Sequence, residues 1–170
     1  MKISLKFTVL LPVYVKNEPL EFKRSLKSII NQSLKPNELI ILVDGPIKKE
    51  IESHIKLQKK KFSFIKVLSF KKNKGLGVVL NIGLKKSKFD YIARCDSDDI
   101  SNINRFKKQI LHLSKNQDID VLGSNVIEKR FKNFNKVRKV SYSDSEIKKK
   151  ILFKNPINHP SVIFKKKVIL

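Results

Sequence analysis

Nine residues point to the architecture of this chain: Tyr91-Ile92-Ala93-Arg94-Cys95-Asp96-Ser97-Asp98-Asp99. The run begins as a predicted buried β-strand and ends in three carboxylates within four residues. Open α/β sheets bind ligands at the carboxyl ends of their strands, so these acids are expected at a ligand site. Clustered carboxylates suit Mg²⁺ or Mn²⁺, and such a metal suits a diphosphate. The alternative is an acidic turn that caps a helix predicted to begin near Asn102.

Strands that end in polar residues are also predicted earlier in the chain. An apolar strand is predicted from Phe7 to Tyr14, followed by a loop and an amphipathic helix from Leu20 to Ile30. A second apolar run, from Glu38 to Pro46, is broken by an acid at Asp44. A weaker strand, from Phe64 to Leu68, precedes another helix. Strands that alternate with helices predict a parallel sheet.

Five segments of the chain occur in the order typical of one enzyme family. They are Val9 to Glu18, Ser25 to Gly45, Asn73 to Gly83, Tyr91 to Asp99 and Asn155 to Val162. Their order resembles the family 2 glycosyltransferases, which use nucleotide-sugar donors and have the GT-A fold. The resemblance covers almost the whole chain and is closest to bacterial enzymes that build capsular polysaccharide, exopolysaccharide and lipopolysaccharide.

The resemblance implies a single α/β domain over residues 1–170 with the Rossmann-like GT-A fold, a mainly parallel central sheet and helices on both faces. It also implies the transfer of a sugar, expected from a UDP-sugar, to a glycan or lipid-linked acceptor. Inversion at the sugar and a Mg²⁺ or Mn²⁺ cofactor are expected as well. The general base of the family is an Asp or Glu, expected here beyond Leu170. The chain is therefore interpreted as the N-terminal portion of a longer enzyme, incomplete on the acceptor side.

The resemblance assigns donor-site roles to the acids. Asp98 is expected to be the main metal ligand, with Asp96 assisting through the metal, a bound water or the ribose hydroxyls. Asp99 either contacts the metal or caps the next helix. Asp44 corresponds to the acid that reads the nucleotide base, where a carboxylate accepts the imide N–H of uracil. Many family members carry a second acid just before it, whereas this chain has Val43.

Further residues are expected around the donor. The residues expected to line the nucleotide cleft are Pro12, Val13, Tyr14 and Glu18, although Tyr14 is alternatively a core aromatic with its hydroxyl at the rim. The segment Asn73-Lys74-Gly75-Leu76-Gly77 lacks the spacing of a Walker motif or a dinucleotide fingerprint, and its glycines predict a tight entry into a helix. In the family this segment borders the donor, so Asn73, Lys74 and Gly75 are expected there.

Two basic side chains have two interpretations each. Arg94 lies on an otherwise apolar strand, where an unpaired charge would be costly, so its partner is either a diphosphate or a structural carboxylate. The sequence Asn158-His159-Pro160 resembles a segment on the acceptor side of the family's site. His159 is accordingly either a contact to sugar or phosphate or a structural histidine.

The composition is typical of one cytoplasmic domain. The chain has 170 residues, of which 41% are hydrophobic, enough to bury a core. No apolar run approaches the length of a membrane span, and the first residues lack a signal-peptide pattern. The single cysteine, Cys95, is predicted to be a packed thiol.

The net charge of +23 comes almost entirely from lysines spread along the chain. They are not gathered beside aromatic residues, so nucleic-acid binding is not expected. A positive face is expected to steer anionic donors or to hold the protein near acidic lipid headgroups at the inner face of the cell membrane. Two other classes stay open: a sugar-phosphate nucleotidyltransferase, although the Gly-rich signature expected of one is missing near the N-terminus, and a basic nucleic-acid-binding module.

Overall fold

Strands and helices alternate along the chain in the computed structural model, which describes residues 5–129, 135–141 and 143–169. The strands are β1 (Phe7–Tyr14), β2 (Glu38–Asp44), β3 (Ile65–Phe70), β4 (Tyr91–Arg94), β5 (Val121–Leu122), β6 (Val126–Lys129), β7 (Asn135–Arg138) and β8 (Ile163–Lys165). The helices are α1 (Pro19–Ile30), α2 (Lys49–Lys61), α3 (Leu76–Lys86), α4 (Arg105–Lys115) and α5 (Asp144–Ile151), with 3₁₀ turns at His159–Ser161 and Lys166–Val168.

A six-stranded sheet in the order β3-β2-β1-β4-β8-β5 forms the centre of the fold. Strand β1 pairs in parallel with β2 and β4, and β2 pairs in parallel with β3. Strand β8 is antiparallel to β4 and β5, and β6 and β7 form a separate antiparallel pair. The predicted mainly parallel sheet is therefore confirmed. Its topology brings the carboxyl ends of β1, β2 and β4 to one edge of the sheet.

Helices cover both faces of the sheet, as predicted. On β1, Val9, Leu11 and Val13 belong to the apolar cluster that includes residues of α1, α2 and α4, whereas Leu10 belongs to the cluster formed with α3. Every residue of β2 is buried. A strand covered on both faces has no solvent-facing side, which explains the continuous apolar runs in the sequence.

Helix α3 packs closely on the sheet because Gly83 has no side chain. A β-carbon built on Gly83 would lie 2.9 Å from both Cδ atoms of Leu42 and 3.2 Å from a Cδ atom of Leu10. A larger residue would therefore push these side chains or the helix outward. The close packing fixes the position of the first turn of α3, which forms one wall of the site described below.

Several element boundaries differ from the prediction. Helix α4 begins at Arg105 rather than near Asn102, because residues 96–104 form a loop. This loop is held to the turn after α1 by Gln32 Nε2, which donates to the Asn102 carbonyl oxygen at 2.7 Å. Strand β3 runs to Phe70 instead of ending at Leu68. The side chain of Leu20 was expected on the apolar face of α1, but it is 59% exposed.

Candidate functional site

A cleft of about 420 Å³ opens at the carboxyl ends of β1, β2 and β4. Its walls contain nine of the predicted donor-site residues: Pro12, Val13, Tyr14, Asp44, Asn73, Gly75, Arg94, Asp96 and Asp98. They also contain Asn17, Leu76, Val79 and Ser97, to which the sequence analysis gave no role at the site. Acids from β2 and from the loop after β4 therefore face one cavity. Tyr14 lines this cavity and is 41% exposed, which excludes the core interpretation of its ring.

The carboxylate of Asp44 fixes the path of the loop between β3 and α3. Its Oδ1 accepts the backbone N–H of Lys74 at 2.6 Å, and its Oδ2 accepts that of Gly75 at 3.0 Å. Asp44 is only 5% exposed, so these hydrogen bonds are largely shielded from water. Each carboxylate oxygen keeps a second lone pair, which leaves Asp44 able to accept from a ligand as well.

Two glycines allow this loop to follow its course. Gly45 has a φ of 83°, and a β-carbon there would lie 2.8 Å from the backbone nitrogen of Asn73. Gly75 has a φ of 87° and is the N-cap residue of α3. Both conformations are unfavourable for residues with side chains. The tight helix entry predicted from the glycines is thus present in the structure.

The loop after β4 carries the acidic cluster. The backbone oxygen of Asp96 accepts a hydrogen bond from the hydroxyl of Ser25 at 2.8 Å, which attaches the loop to α1. Asp98 and Asp99 are both exposed. Asp98 lines the cleft, and Asp99 is outside its lining. Although Asp99 is exposed at its surface, desolvation by the protein atoms around it raises its pKa, and the like charges of Asp98 and Asp96 raise it further. Burial likewise raises the pKa of Asp96, in opposition to the nearby Arg94. A cation at the cluster would relieve this repulsion.

Arg94 is buried beside the cluster with part of its hydrogen-bonding capacity unused. Its Nη2 lies 2.8 Å from Oδ1 of Asp96, so the structural ion pair is present. Its Nε and Nη1 are buried and have no hydrogen-bond partner among the described residues. Burial lowers the pKa of Arg94, against the effect of the surrounding acids. Unpaired buried N–H groups are unfavourable, and Arg94 lines the cleft, so these two nitrogens are the candidates to bind an anionic ligand once the side chain turns toward it.

The carboxylates fit Mg²⁺ or Mn²⁺ only together with ligand oxygens. In the residues that the structure describes, no three His, Cys, Asp or Glu side chains are arranged to hold a metal ion. Mg²⁺ in nucleotide sites commonly uses one or two carboxylates, several waters and the substrate phosphates. Asp96 and Asp98 line the same cavity and meet that requirement. The donor set is therefore suited to an ion that binds along with a diphosphate.

Arg105 holds the end of β4 in place, a role that sequence reasoning missed. Its Nη2 donates to the carbonyl oxygen of Arg94 at 2.8 Å, and its Nη1 lies 3.2 Å from Sγ of Cys95 and 3.1 Å from Oγ of Ser101. Cys95 is buried, as predicted for a packed thiol. An arginine at the start of the helix that follows an acidic loop was the signal available in the sequence.

Asn17 was also missed, although it lines the cleft. Its Oδ1 accepts the backbone N–H of Tyr14 at 2.8 Å, and its own N–H donates to the Tyr14 carbonyl oxygen at 3.1 Å. These bonds close a turn directly after β1. The sequence signal was the group of turn-forming residues that includes Asn17 and Pro19.

Three predicted residues do not line the cleft. Glu18 instead pairs with Lys48, at 2.6 Å between its Oε1 and the lysine Nζ. Lys74 contacts the site through its backbone, while its Nζ lies 5.8 Å from the centre of the Phe70 ring. His159 lies in a 3₁₀ turn near the acidic cluster, where burial and Arg94 lower its pKa and Asp96 raises it.

The sequence profile of glycosyl transferase family 2 matches residues 8–169. The UDP-Gal:alpha-D-GlcNAc-diphosphoundecaprenol beta-1,3-galactosyltransferase of Escherichia coli is 39% identical over 163 residues, which are 95% of this chain and 58% of that protein. The amylovoran biosynthesis glycosyltransferase AmsE of Erwinia amylovora is 29% identical over 164 residues, which are 96% of this chain and 61% of that protein. This chain thus spans about three fifths of the length of these curated relatives.

Solved glycosyltransferase structures share the fold. Residues 1–349 of S. aureus TarS in complex with UDP-GlcNAc match with a TM-score of 0.72 and 20% identity, over 97% of this chain and 46% of that chain. The mannosyltransferase PcManGT from Pyrobaculum calidifontis, in complex with GDP-Man and Mn²⁺, matches with a TM-score of 0.68 and 13% identity, over 98% and 47% of the two chains. The predicted GT-A fold is confirmed, and the profile over residues 8–169 shows that this chain belongs to glycosyl transferase family 2.

Proposed function

We propose that the cleft binds a nucleoside-diphosphate sugar and that the chain forms the donor side of a sugar transferase. The acceptor would be a glycan or a lipid-linked sugar used in bacterial surface polysaccharide synthesis, and transfer would invert the anomeric centre. The observation that carries this proposal is Arg94, with two buried guanidinium nitrogens, Nε and Nη1, that lack hydrogen-bond partners among the described residues. It lies in a cavity whose other polar groups include Asp44, Asp96 and Asp98.

The chemistry follows from the charge of the leaving group. As the bond between sugar and diphosphate breaks, negative charge grows on the diphosphate and must be stabilised. Arg94 is positioned to donate hydrogen bonds to that group while Asp96 holds its third nitrogen in place. A Mg²⁺ or Mn²⁺ ion held by Asp98 and Asp96 would supply further positive charge at the same position.

UDP is the donor nucleotide that we propose. The Escherichia coli relative is named for a UDP-galactose donor. Asp44 is the residue proposed to accept the imide N–H of uracil, because it lines the cleft and each carboxylate oxygen keeps a second lone pair. The similar folds bind UDP-GlcNAc in one case and GDP-Man in the other, so the fold alone does not select the nucleotide.

The acceptor side is proposed on fewer observations. The same relative is named for a lipid diphosphate acceptor. His159 lies close enough to Arg94 and Asp96 for their charges to shift its pKa, and this position suits a contact to the acceptor or to a phosphate. The general base expected beyond Leu170 stays a prediction.

Calorimetric titration with UDP, GDP and UMP in the presence of Mn²⁺ tests the donor site. We expect UDP to bind more tightly than UMP, because only UDP places a second phosphate at Arg94. Arg94→Lys keeps the charge but removes the guanidinium donors, so UDP affinity should fall about 10- to 100-fold, as expected for one or two charge-assisted hydrogen bonds. The matched control is the exposed Arg24, where Arg24→Lys should leave affinity unchanged.

The metal is tested separately with a chelator and with Asp98→Asn. Asp98 is exposed, so its replacement should leave the fold intact while abolishing the gain in UDP affinity that Mn²⁺ provides. Equal UDP affinity with Mn²⁺ and with chelator would contradict the metal role. UDP binding that is indifferent to Arg94→Lys in a folded variant would contradict the donor site itself.

A further inference from the structure

The structure has an exposed apolar group at the end of α5. Ile151, Leu152 and Phe153, which we name the apolar tip, are 62%, 81% and 88% exposed, respectively. No residue of α5 is buried against the sheet. The tip is held as a compact turn, because the backbone N–H groups of Phe153 and Lys154 both donate to the carbonyl oxygen of Lys150.

Lysines surround the apolar tip. Lys148, Lys149 and Lys150 precede it, and Lys154 follows it. Lys148 pairs with Asp144 and Lys150 with Glu146, both one helical turn earlier. Lys149 and Lys154 have no ion pair within the described part of the chain, so their positive charges are not neutralised locally.

We propose that the apolar tip inserts into the surface of a membrane that contains anionic lipid. Three consecutive residues at a helix end project about 100° apart, so they form no single stripe that a shaped protein groove would cover. Fluid hydrocarbon needs no such complementarity. Leu and Phe at a lysine-rich helix end match the side chains of interfacial membrane anchors, and the lysines complement the negative charge of the headgroups.

The position of the apolar tip agrees with the proposed chemistry. His159, whose charge environment includes Arg94 and Asp96, follows the tip by six residues in sequence, and a lipid-linked acceptor would bring the enzyme to a membrane surface. This proposal goes beyond the proposed function in naming the surface that contacts lipid. It is tested without donor or acceptor, so its failure is distinguishable from a failure of the donor site.

The first experiment uses fluorescence, because the chain contains no tryptophan. Phe153→Trp introduces a single reporter at the apolar tip, and Leu57→Trp places one on α2, where Leu57 is 47% exposed. With phosphatidylcholine vesicles containing phosphatidylglycerol, we expect Phe153→Trp to shift its emission to the blue and to be quenched by brominated lipid. Leu57→Trp should show neither effect. A reporter at position 153 that stays water-exposed in bound protein would overturn the proposal.

The second experiment measures vesicle co-sedimentation of matched variants. Leu152→Ser combined with Phe153→Ser should weaken binding at least about tenfold, given the apolar area removed from the bilayer. The control, Leu57→Ser combined with Val78→Ser, removes two apolar side chains that are 47% and 49% exposed and lie away from the apolar tip, and it should change binding less than about twofold. Circular dichroism verifies that each variant is folded.

The role of charge is tested with two variants of equal net charge. Lys149→Gln with Lys154→Gln should weaken binding to the anionic vesicles more than Lys60→Gln with Lys61→Gln on α2, although both pairs lower the net charge equally. Equal losses would mean that diffuse attraction of a basic protein explains the binding, and they would overturn the assignment to the apolar tip. Absence of binding by the parent protein to anionic vesicles would overturn it as well.

Discussion

Replacing Asp96 and replacing Arg94 should change the free energy of unfolding by different amounts, because the two side chains of this ion pair differ in burial. The arginine side chain is 6% exposed and the aspartate side chain 30% exposed. In Asp96→Asn, the guanidinium keeps its charge but loses its counterion where little water can replace it. Breaking a buried pair in this way costs about 3–5 kcal/mol. Because water reaches position 96 and asparagine keeps one oxygen acceptor, we expect a loss of about 2–3 kcal/mol in the free energy of unfolding.

Arg94→Met should have a much smaller effect. It removes a desolvated charge together with two buried nitrogens that lack hydrogen-bond partners among the described residues, and it leaves Asp96 in contact with water. Loss of the ion pair destabilises the folded state, whereas removal of the desolvated charge stabilises it. Because the two effects oppose each other, the free energy of unfolding should change by no more than about 1 kcal/mol. The free protein would then hold Arg94 mainly for its ligand.

Urea denaturation followed by circular dichroism, at neutral pH without nucleotide or metal, measures both variants against the parent. The ratio of the two losses is the decisive quantity. If Arg94→Met destabilises the protein as much as Asp96→Asn, Nε and Nη1 of Arg94 have hydrogen-bond partners in solution that the described residues do not supply. The argument that Arg94 is reserved for an anionic ligand would then be refuted.

Two further predictions concern the sheet edge and the core. Gly45→Ala should destabilise the protein by about 1–3 kcal/mol and weaken nucleotide binding, because the φ of Gly45 is 83° and an added β-carbon would meet Asn73. The control Gly77→Ala, on α3 with open space around it, should be neutral or stabilising. Equal losses of the two variants in urea denaturation would contradict this. Burial raises the pKa of Glu38, but the ion pair with Lys66 and two hydrogen bonds outweigh it and leave the pKa below its ordinary value. Glu38→Gln should therefore destabilise the protein at neutral pH, and the difference should shrink as pH falls through the native pKa; a constant difference down to acid pH would refute the ionic contribution.

Much of the fold could be predicted because its central strands are buried on both faces. Such strands leave continuous apolar runs, and the polar residues that end them mark one edge of the sheet. The bounds of β1 were predicted correctly on this basis, and so was the meeting of Asp44 with Asp96 and Asp98 in one cleft. The hairpin of β6 and β7 and helix α5 were not predicted, since short, exposed elements leave weak periodicity.

The contacts of individual side chains were less predictable. Glu18 was expected in the nucleotide cleft because it follows β1, but it pairs with Lys48, a partner 30 residues away in sequence. Local pattern does not encode which of many lysines a glutamate will contact. The same limit applies to Arg105, whose bonds to the end of β4 depend on where α4 begins. The sequence predicted which residues meet in the cleft, and tertiary packing determined the contacts that each of them makes.

The hydrogen bonds from the loop to Asp44 indicate which loop position is constrained to one residue type and which position can vary. The carboxylate is bound by backbone N–H groups of residues 74 and 75, and the Lys74 side chain takes no part in these bonds. Any residue except proline supplies the same N–H at position 74, whereas the φ of 87° favours glycine at position 75. Position 74 is therefore a place where evolution or protein engineering could alter the side chain beside Phe70, outside the cleft, without changing the course of the chain. Substitutions at this one position would change the surface next to the cleft on an unchanged scaffold.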